Sequence, residues 1–197
     1  MDTDAFWTMI ERVRLRASDP EERLGMLATE LSRHPLSEVV EFQICHDRVR
    51  ERSDTHQMWG AAHRIFDGHC SGDGFWYFQA WLIGLGRAAF ERAVADPDTL
   101  AEVAEVIRLA GRPLGEWADA EFPEWESFNY LARTTYDEVA GTVEGIYAEL
   151  AKRGHDTPED PAPADVPWDF DDPAEVAERL PRLATLFPLP GGNGRGH

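Results

Sequence analysis

Residues 63–87 read HRIFDGHCSGDGFWYFQAWLIGLGR, and this stretch indicates the fold class. Its second half is the most aromatic segment of the chain. Apolar residues recur here at intervals of three or four, namely Phe75, Phe78, Leu82, Leu85 and Ala89. This spacing places them on one face of a helix, so we predict a long aromatic helix from about Asp73 to Ala95. Gly84 and Gly86 lie inside it, and we expect their missing side chains to let another helix approach closely.

The polar first half of this stretch is typical of a turn that starts a helix. Ser71 and Asp73 belong to the residue types that cap helix N-termini, and Gly72 and Gly74 permit backbone conformations with positive φ. A second interpretation stays open, because Cys70 lies just before the expected helix start. A thiol in that position can have a lowered pKa and act as a nucleophile.

Helical signals continue in both directions from this stretch. An aspartate followed by a proline suits the N-cap and first position of a helix. This pair occurs at Asp19–Pro20, Asp96–Pro97 and Asp172–Pro173. A further long helix is expected near the end of the main domain, with one face that carries Phe128, Leu131, Thr135, Val139, Val143, Ile146 and Leu150. The predicted fold class is therefore all-α, a single irregular bundle of about six or seven helices with a C-terminal appendage.

The composition changes after Arg153, and this change predicts the domain organisation. We expect an all-helical domain over residues 1–153 and a linker rich in proline and acid over 154–171. A short docking helix is expected over 172–187, where Val176 and Leu180 supply apolar contacts. The last residues, 188–197, are expected to be a disordered tail.

The strong negative charge restricts the possible partners. The 197-residue chain has 19 Lys and Arg against 37 Asp and Glu, a formal net charge of -18. Such a surface repels phosphate backbones, so we expect no nucleic-acid partner, and a protein or peptide partner is favoured. No segment has the roughly 18 apolar residues that a membrane span requires, and the N-terminus lacks signal-peptide features. We therefore expect no membrane partner and a cytoplasmic location; the oligomeric state stays unknown.

Histidines and cysteines are concentrated in one region of the sequence, which raises the hypothesis of a metal site. Imidazole and thiolate are suitable ligands for zinc or iron. The weak candidates are Cys45, His46, His63, His69 and Cys70. Their spacings match no ligand signature such as Cys-x-x-Cys, so a metal site is not favoured and no cofactor is expected.

Catalytic and ligand-binding candidates are equally weak. The catalytic candidates are Glu11, Cys70, Asp73 and Tyr77. We expect Glu11, beside the apolar face of the first helix, to form a partly buried ion pair with Arg87. The ligand-binding candidates are Trp59, Trp76, Tyr77, Trp81 and Arg87. An aromatic stripe at helical spacing is more often plain core than a pocket, and Trp76 and Tyr77 fall off the main stripe.

Three sequence blocks resemble one bacterial domain family. They are DAFWTMIERVR (4–14), MWGAAHRIFDGHCSGDGFWYFQAWLIGLGRAAFERAVADPDTLA (58–101) and FNYLARTTYDEV (128–139). They are similar to the domain-of-unknown-function family 4240, over roughly residues 1–150 and a tail near 168–187. Its members stand alone or beside a tryptophan-glycine-arginine domain. The resemblance implies no established activity and no catalytic residues. His63 and His69 depart from its pattern, which counts against a metal site common to the family.

Two functional hypotheses follow. The first is a non-catalytic binding or regulatory module whose acidic surface engages a protein or peptide. An exposed apolar patch beside acidic residues would support it. The second is a small cytosolic enzyme that acts on a peptide or small metabolite through a cysteine, histidine and acid cluster near Cys70, with or without a metal. It requires these side chains to converge on one cavity.

Overall fold

The computed structural model describes residues 1–155, 163 and 165–189 and confirms the all-α prediction. In chain order, the α-helices are α1 Thr3–Arg14, α2 Pro20–Leu31, α3 Leu36–Glu51, α4 His56–Ile65, α5 Gly72–Gly84, α6 Arg87–Ala95, α7 Ala104–Ile107, α8 Glu126–Ala140, α9 Gly145–Lys152, α10 Pro173–Arg179 and α11 Pro181–Leu186. Short 3₁₀ segments span Pro97–Glu102, Leu114–Glu116 and Asp119–Glu121. None of the helices in the described part is long and apolar enough to cross a bilayer.

The chain divides into two compact units. Unit 1 contains residues 1–53, 76–90 and 124–155, and unit 2 contains residues 54–75, 91–123 and the described residues after position 162. In unit 1, α8 packs against α2, α3 and α9. In unit 2, α11 packs against α4, α10 and the Pro97–Glu102 segment. The predicted linker 154–171 and tail 188–197 lie partly outside the described residues.

The core of unit 1 is a chain of aromatic contacts between helices. Phe42 of α3 lies 5.0 Å from Phe6 of α1 and 6.4 Å from Phe128 of α8, measured between ring centroids. Trp125 stacks on Phe128 at 4.5 Å. All four rings are at most 5% exposed. Burial of side chains of this size is the main stabilising contribution to a helical unit.

The prediction of one continuous aromatic helix over 73–95 is wrong, because this segment forms two helices. α5 ends at Gly84 and α6 begins at Arg87, because Gly86 has φ +91°, a conformation that ends a helix. The expected close approach at Gly84 is present, although its neighbour is a side chain. A Cβ at Gly84 would lie 2.8 Å from the Trp125 ring.

The predicted helix through Val143 is also interrupted. Gly141 adopts φ +67° and ends α8, and α9 starts four residues later. In the C-terminal region, residues 172–187 form two helices instead of one, because Pro181 opens a new helix and disfavours helical backbone at Leu180. Leu180 is nevertheless fully buried, as is appropriate for a docking contact.

Acidic residues cap several helix N-termini from distant positions in the sequence. Asp98 is 2% exposed and accepts hydrogen bonds from the backbone N–H groups of Arg182 (3.0 Å) and Leu183 (2.8 Å) at the start of α11. The Arg182 side chain donates to the same carboxylate at 2.9 Å. Part of the excess negative charge therefore has a structural role, since N-terminal N–H groups lack partners within their helix.

Candidate functional site

The aromatic ligand-binding candidates contact neighbouring side chains. Trp59 stacks on Phe75 at 3.8 Å, and its Nε1 donates to Asp54 at 3.1 Å. Trp81 lies 5.4 Å from Phe78 of the same helix. Trp59 and Trp81 are half-buried and therefore contribute to packing.

Trp76 and Tyr77, the two residues off the main stripe, are also half-buried. Trp76 lies edge-on to Tyr130 at 5.4 Å, with the Arg50 guanidinium 6.0 Å from its ring. The Tyr77 hydroxyl donates to Glu126 Oε1 at 2.9 Å. These contacts lie within unit 1 and connect α5 to α3 and α8.

The four catalytic candidates are divided between the units. Glu11 and Tyr77 belong to unit 1, whereas Cys70 and Asp73 belong to unit 2. Cys70 is half-buried with its Sγ 3.8 Å from the Ser71 carbonyl, and Asp73 is exposed in the first turn of α5. Their convergence on one cavity stays a prediction. The cap at Ser71 is confirmed, because its hydroxyl accepts the Gly74 N–H at 3.0 Å.

The expected ion pair between Glu11 and Arg87 is wrong in detail. Glu11 Oε1 accepts the backbone N–H of Arg87 at 2.9 Å, and Glu11 Oε2 accepts from Arg14 at 3.0 Å. The Arg87 guanidinium pairs instead with Asp4 at 2.6 Å. Glu11 therefore caps α6, and Gly86 makes room for it, because a Cβ there would lie 2.5 Å from Glu11 Oε1.

The metal-ligand candidates are likewise divided between the units. Cys45 and His46 lie in α3, and burial raises the pKa of the Cys45 thiol, which disfavours the thiolate. In unit 2, His63 lies 3.3 Å from Asp171, and the exposed His69 lies 2.8 Å from the Asp67 carbonyl. Across residues 1–155, 163 and 165–189, no three His, Cys, Asp or Glu side chains are arranged to hold a metal ion.

A buried polar cluster around Asp47 could not be predicted from local sequence. Asp47 accepts from Gln43 at 3.0 Å and contacts His155, 108 residues away, at 3.0 Å. Burial alone would raise the pKa of Asp47, but the neighbouring His46, His155 and Arg50 more than offset this, and the pKa is lowered. This cluster connects α3 to the segment that follows α9.

The loop between α8 and α9 is held in an uncommon conformation. Asp137 accepts hydrogen bonds from the Thr142 hydroxyl (2.8 Å) and from the N–H groups of Glu144 (2.7 Å) and Gly145 (2.9 Å). Glu144 has φ +57°, which is unfavourable for a residue other than glycine. Burial would raise the pKa of Asp137, but these hydrogen bonds lower it, so the carboxylate stays ionised. Backbone strain of this kind is concentrated at functional sites.

This loop borders an open groove of about 440 Å³, which we call the α8–α9 corner. It is lined by Arg133, Thr134, Asp137, Glu138, Thr142, Val143 and Glu144. The lining thus contains three carboxylates and one guanidinium. Val143 is 90% exposed, and Val139 and Tyr147 nearby in sequence are 48% and 38% exposed.

The exposure of Val139 and Val143 contradicts their predicted core positions. Both residues fit the apolar spacing of one long helix. The break at Gly141 ends that helix and leaves both side chains at the surface. The glycine was the only local signal of the corner, and a lone glycine in a helical pattern does not specify a break.

Replacing Asp137 with alanine is expected to release the loop. The amides of Glu144 and Gly145 lose their acceptor, so their hydrogen exchange should accelerate by about tenfold, the effect of losing one hydrogen bond. Hydrogen exchange resolved by residue measures this. Asp137→Asn is the matched control, because its carbonyl oxygen keeps one acceptor and should give a smaller increase. Unchanged exchange in Asp137→Ala would show that the carboxylate does not hold the loop.

The fold and the corner define a small, acidic, all-helical protein with an open, largely acidic groove that carries one exposed apolar side chain, Val143. The family described as "Protein of unknown function (DUF4240)" matches residues 1–138, and the chain belongs to this family. The match contains the whole of α1–α7 and most of α8. A search of curated proteins finds no match, and a search of solved structures finds none either.

Proposed function

We propose that the protein is a non-catalytic binding module that engages a basic protein or peptide partner at the α8–α9 corner. The observation that carries this proposal is Val143, an apolar side chain that is 90% exposed within a groove lined by Asp137, Glu138 and Glu144. Val139 and Tyr147, each four residues away in sequence, are exposed as well, and a contiguous apolar patch rimmed by polar residues is characteristic of an interaction site.

The chemistry of the corner defines its partner. Glu138 and Glu144 are exposed, so lysine or arginine side chains of a partner can approach them. Val143 offers an apolar contact to a residue between those basic groups. The net charge of -18 favours encounter with a basic partner at low salt.

Several side chains required by the enzyme hypothesis already have partners. Glu11 binds the Arg87 N–H and Arg14, and the Tyr77 hydroxyl donates to Glu126. We therefore favour binding over catalysis. The proposal includes a cytoplasmic location, because the chain has only two cysteines, too few for the disulfide framework that is usual in small secreted proteins.

An array of labelled peptides tests this proposal. Each peptide carries one leucine, phenylalanine or tryptophan flanked by lysines or arginines, and binding to the full-length protein is measured by fluorescence anisotropy. We expect binding that weakens with salt and that Val143→Ser weakens by about tenfold, the contribution of one buried valine.

Leu15→Ser is the matched control. Leu15 is 77% exposed, but its groove also contains Arg12 and Arg87, so a basic peptide is not expected there. Leu15→Ser should bind like the wild type. If no peptide binds, or if both variants bind equally well, the α8–α9 corner is not the binding site.

A further inference from the structure

In unit 2, an acidic segment of the chain lies along α4. We call residues 165–171, with the sequence DVPWDFD, the acidic strap. α4 has the sequence HQMWGAAHRI and contains no acidic residue, although the chain has 37. The negatively charged strap therefore lies against a helix that carries no negative charge.

The first contact lies at the N-terminus of α4. The Asp165 carboxylate accepts the N–H groups of His56 (2.5 Å) and Gln57 (3.0 Å) and lies 3.0 Å from His56 Nδ1. The hydroxyl of Thr55, the N-cap residue of α4, accepts the next N–H, that of Met58, at 3.1 Å. Asp165 thus supplies the cap that Thr55 alone cannot complete.

The second contact lies one helical turn further along α4. The Trp168 indole occupies the space above Gly60, where a Cβ would lie only 2.1 Å from Trp168 Cζ2. The Arg179 guanidinium lies 5.4 Å from the indole ring, an arrangement favourable for a cation–π interaction. Gly60 is required here because any side chain would collide with the indole.

The third contact lies a further turn along. His63 Nε2 lies 3.3 Å from Asp171, and the His63 ring lies 5.6 Å from Phe170. Residues 56, 60 and 63 are spaced by four and three, so they share one face of the helix. This α4 face, formed by His56, Gln57, Gly60 and His63, binds an acid, a tryptophan and a second acid in order.

The strap does not satisfy the site completely. The Trp168 Nε1 is buried without a hydrogen-bond acceptor, which weakens its binding. Val166, the second residue of the strap, is 75% exposed, so its side chain contributes little to the contact with α4. An occupant held in this way can be exchanged for a better one.

We propose that the α4 face is a binding site for an acidic peptide of the pattern D-x-x-W-x-x-D in a partner protein, and that the acidic strap is its resident competitor. The spacing is that of Asp165, Trp168 and Asp171. The site shares no residue with the α8–α9 corner and takes a ligand of opposite charge. If the α4 face does not bind the acidic peptide, the proposed function of the α8–α9 corner is unaffected. If the corner does not bind basic peptides, the proposal for the α4 face is unaffected.

The test uses full-length protein and a fluorescein-labelled peptide with the sequence of residues 165–172, DVPWDFDD. Trp168→Ala vacates the indole site, so this variant should bind the peptide about tenfold more tightly than the wild type, whose own strap competes. A peptide with alanine in place of tryptophan should bind neither protein. The double variant Gly60→Leu with Trp168→Ala should lose the binding, because the new side chain fills the indole site.

Circular dichroism establishes that each variant is folded. If Trp168→Ala does not fold, Asp165→Asn with Asp171→Asn takes its place, because it weakens the strap and leaves the core unchanged; the same gain in peptide binding is expected. Equal peptide affinity in the wild type and the folded strap variant would overturn the proposal. Undiminished binding to the Gly60→Leu double variant would overturn it as well.

Discussion

Replacing Asp98 with alanine should lower the free energy of unfolding by about 3 kcal/mol, because a buried carboxylate that accepts several hydrogen bonds is removed and its donors lose their acceptor. Asp98 is almost completely buried and accepts two backbone N–H groups of α11 as well as the Arg182 side chain. Its hydrogen bond raises the pKa of the Arg182 guanidinium. The variant leaves both the start of α11 and the arginine without this acceptor. Urea denaturation followed by circular dichroism measures the loss.

Glu102→Ala is the matched control for this prediction. Glu102 pairs with the same guanidinium at 2.5 Å, but its side chain is 57% exposed. Exposed ion pairs contribute at most about 1 kcal/mol. Equal losses in the Asp98 and Glu102 variants would show that the interaction is a surface ion pair and that the cap on α11 contributes nothing.

The second large effect is expected at Trp125. Trp125→Ala should cost about 4 kcal/mol, because it leaves a cavity beside Phe128 in the core of unit 1. Gly84→Ala should cost about 2 kcal/mol, because the added methyl group would lie 2.8 Å from the buried Trp125 ring. Both losses can be measured by urea denaturation.

A double-mutant cycle tests whether these two costs have one origin. Once Trp125 is removed, the methyl group at Gly84 has room and fills part of the cavity. The double variant should therefore lose clearly less than the sum of the single losses. Additive losses would mean that Gly84 is required for a reason other than its contact with Trp125.

Local sequence was sufficient to predict where several helices start. Asp19 caps α2 through the Glu22 N–H at 2.8 Å, and Asp172 caps α10 in the same way. These caps act within a few residues, so an aspartate–proline pair specifies them. Apolar spacing also depends only on nearby residues, so it was sufficient to predict that the chain is helical and which helix faces are buried. Phe75, Phe78 and Leu82 are buried as this spacing predicts.

The remaining features depend on contacts between distant residues. The caps supplied by Glu11, Asp98 and Asp165 join positions 76, 84 and 109 residues apart. The sequence placed Glu11 near Arg87 but not as the cap of α6, and no local pattern distinguishes Asp98 or Asp165 from the other acids of the chain. The breaks at Gly86 and Gly141 could not be predicted from local sequence either, because a glycine permits a positive φ without requiring it.

The candidate site could not be predicted for this reason. Val143 fits an apolar stripe, and only the ending of α8 at Gly141 shows that it is exposed. The same break brings Glu144 and Gly145 to the Asp137 carboxylate. The stretch rich in histidine and cysteine has more reactive side chains than the corner, although its clearest structural role is the cap of α5 at Ser71.

The proposed function is tested most directly by a nuclear magnetic resonance titration of the ¹⁵N-labelled full-length protein with the tightest-binding basic peptide of the array. We predict saturable shifts of the Thr142, Val143 and Glu144 amides, and their loss in Val143→Ser but not in Leu15→Ser. Shifts confined to the loop around Cys70, with the α8–α9 corner unaffected, would contradict the assignment of binding to this groove.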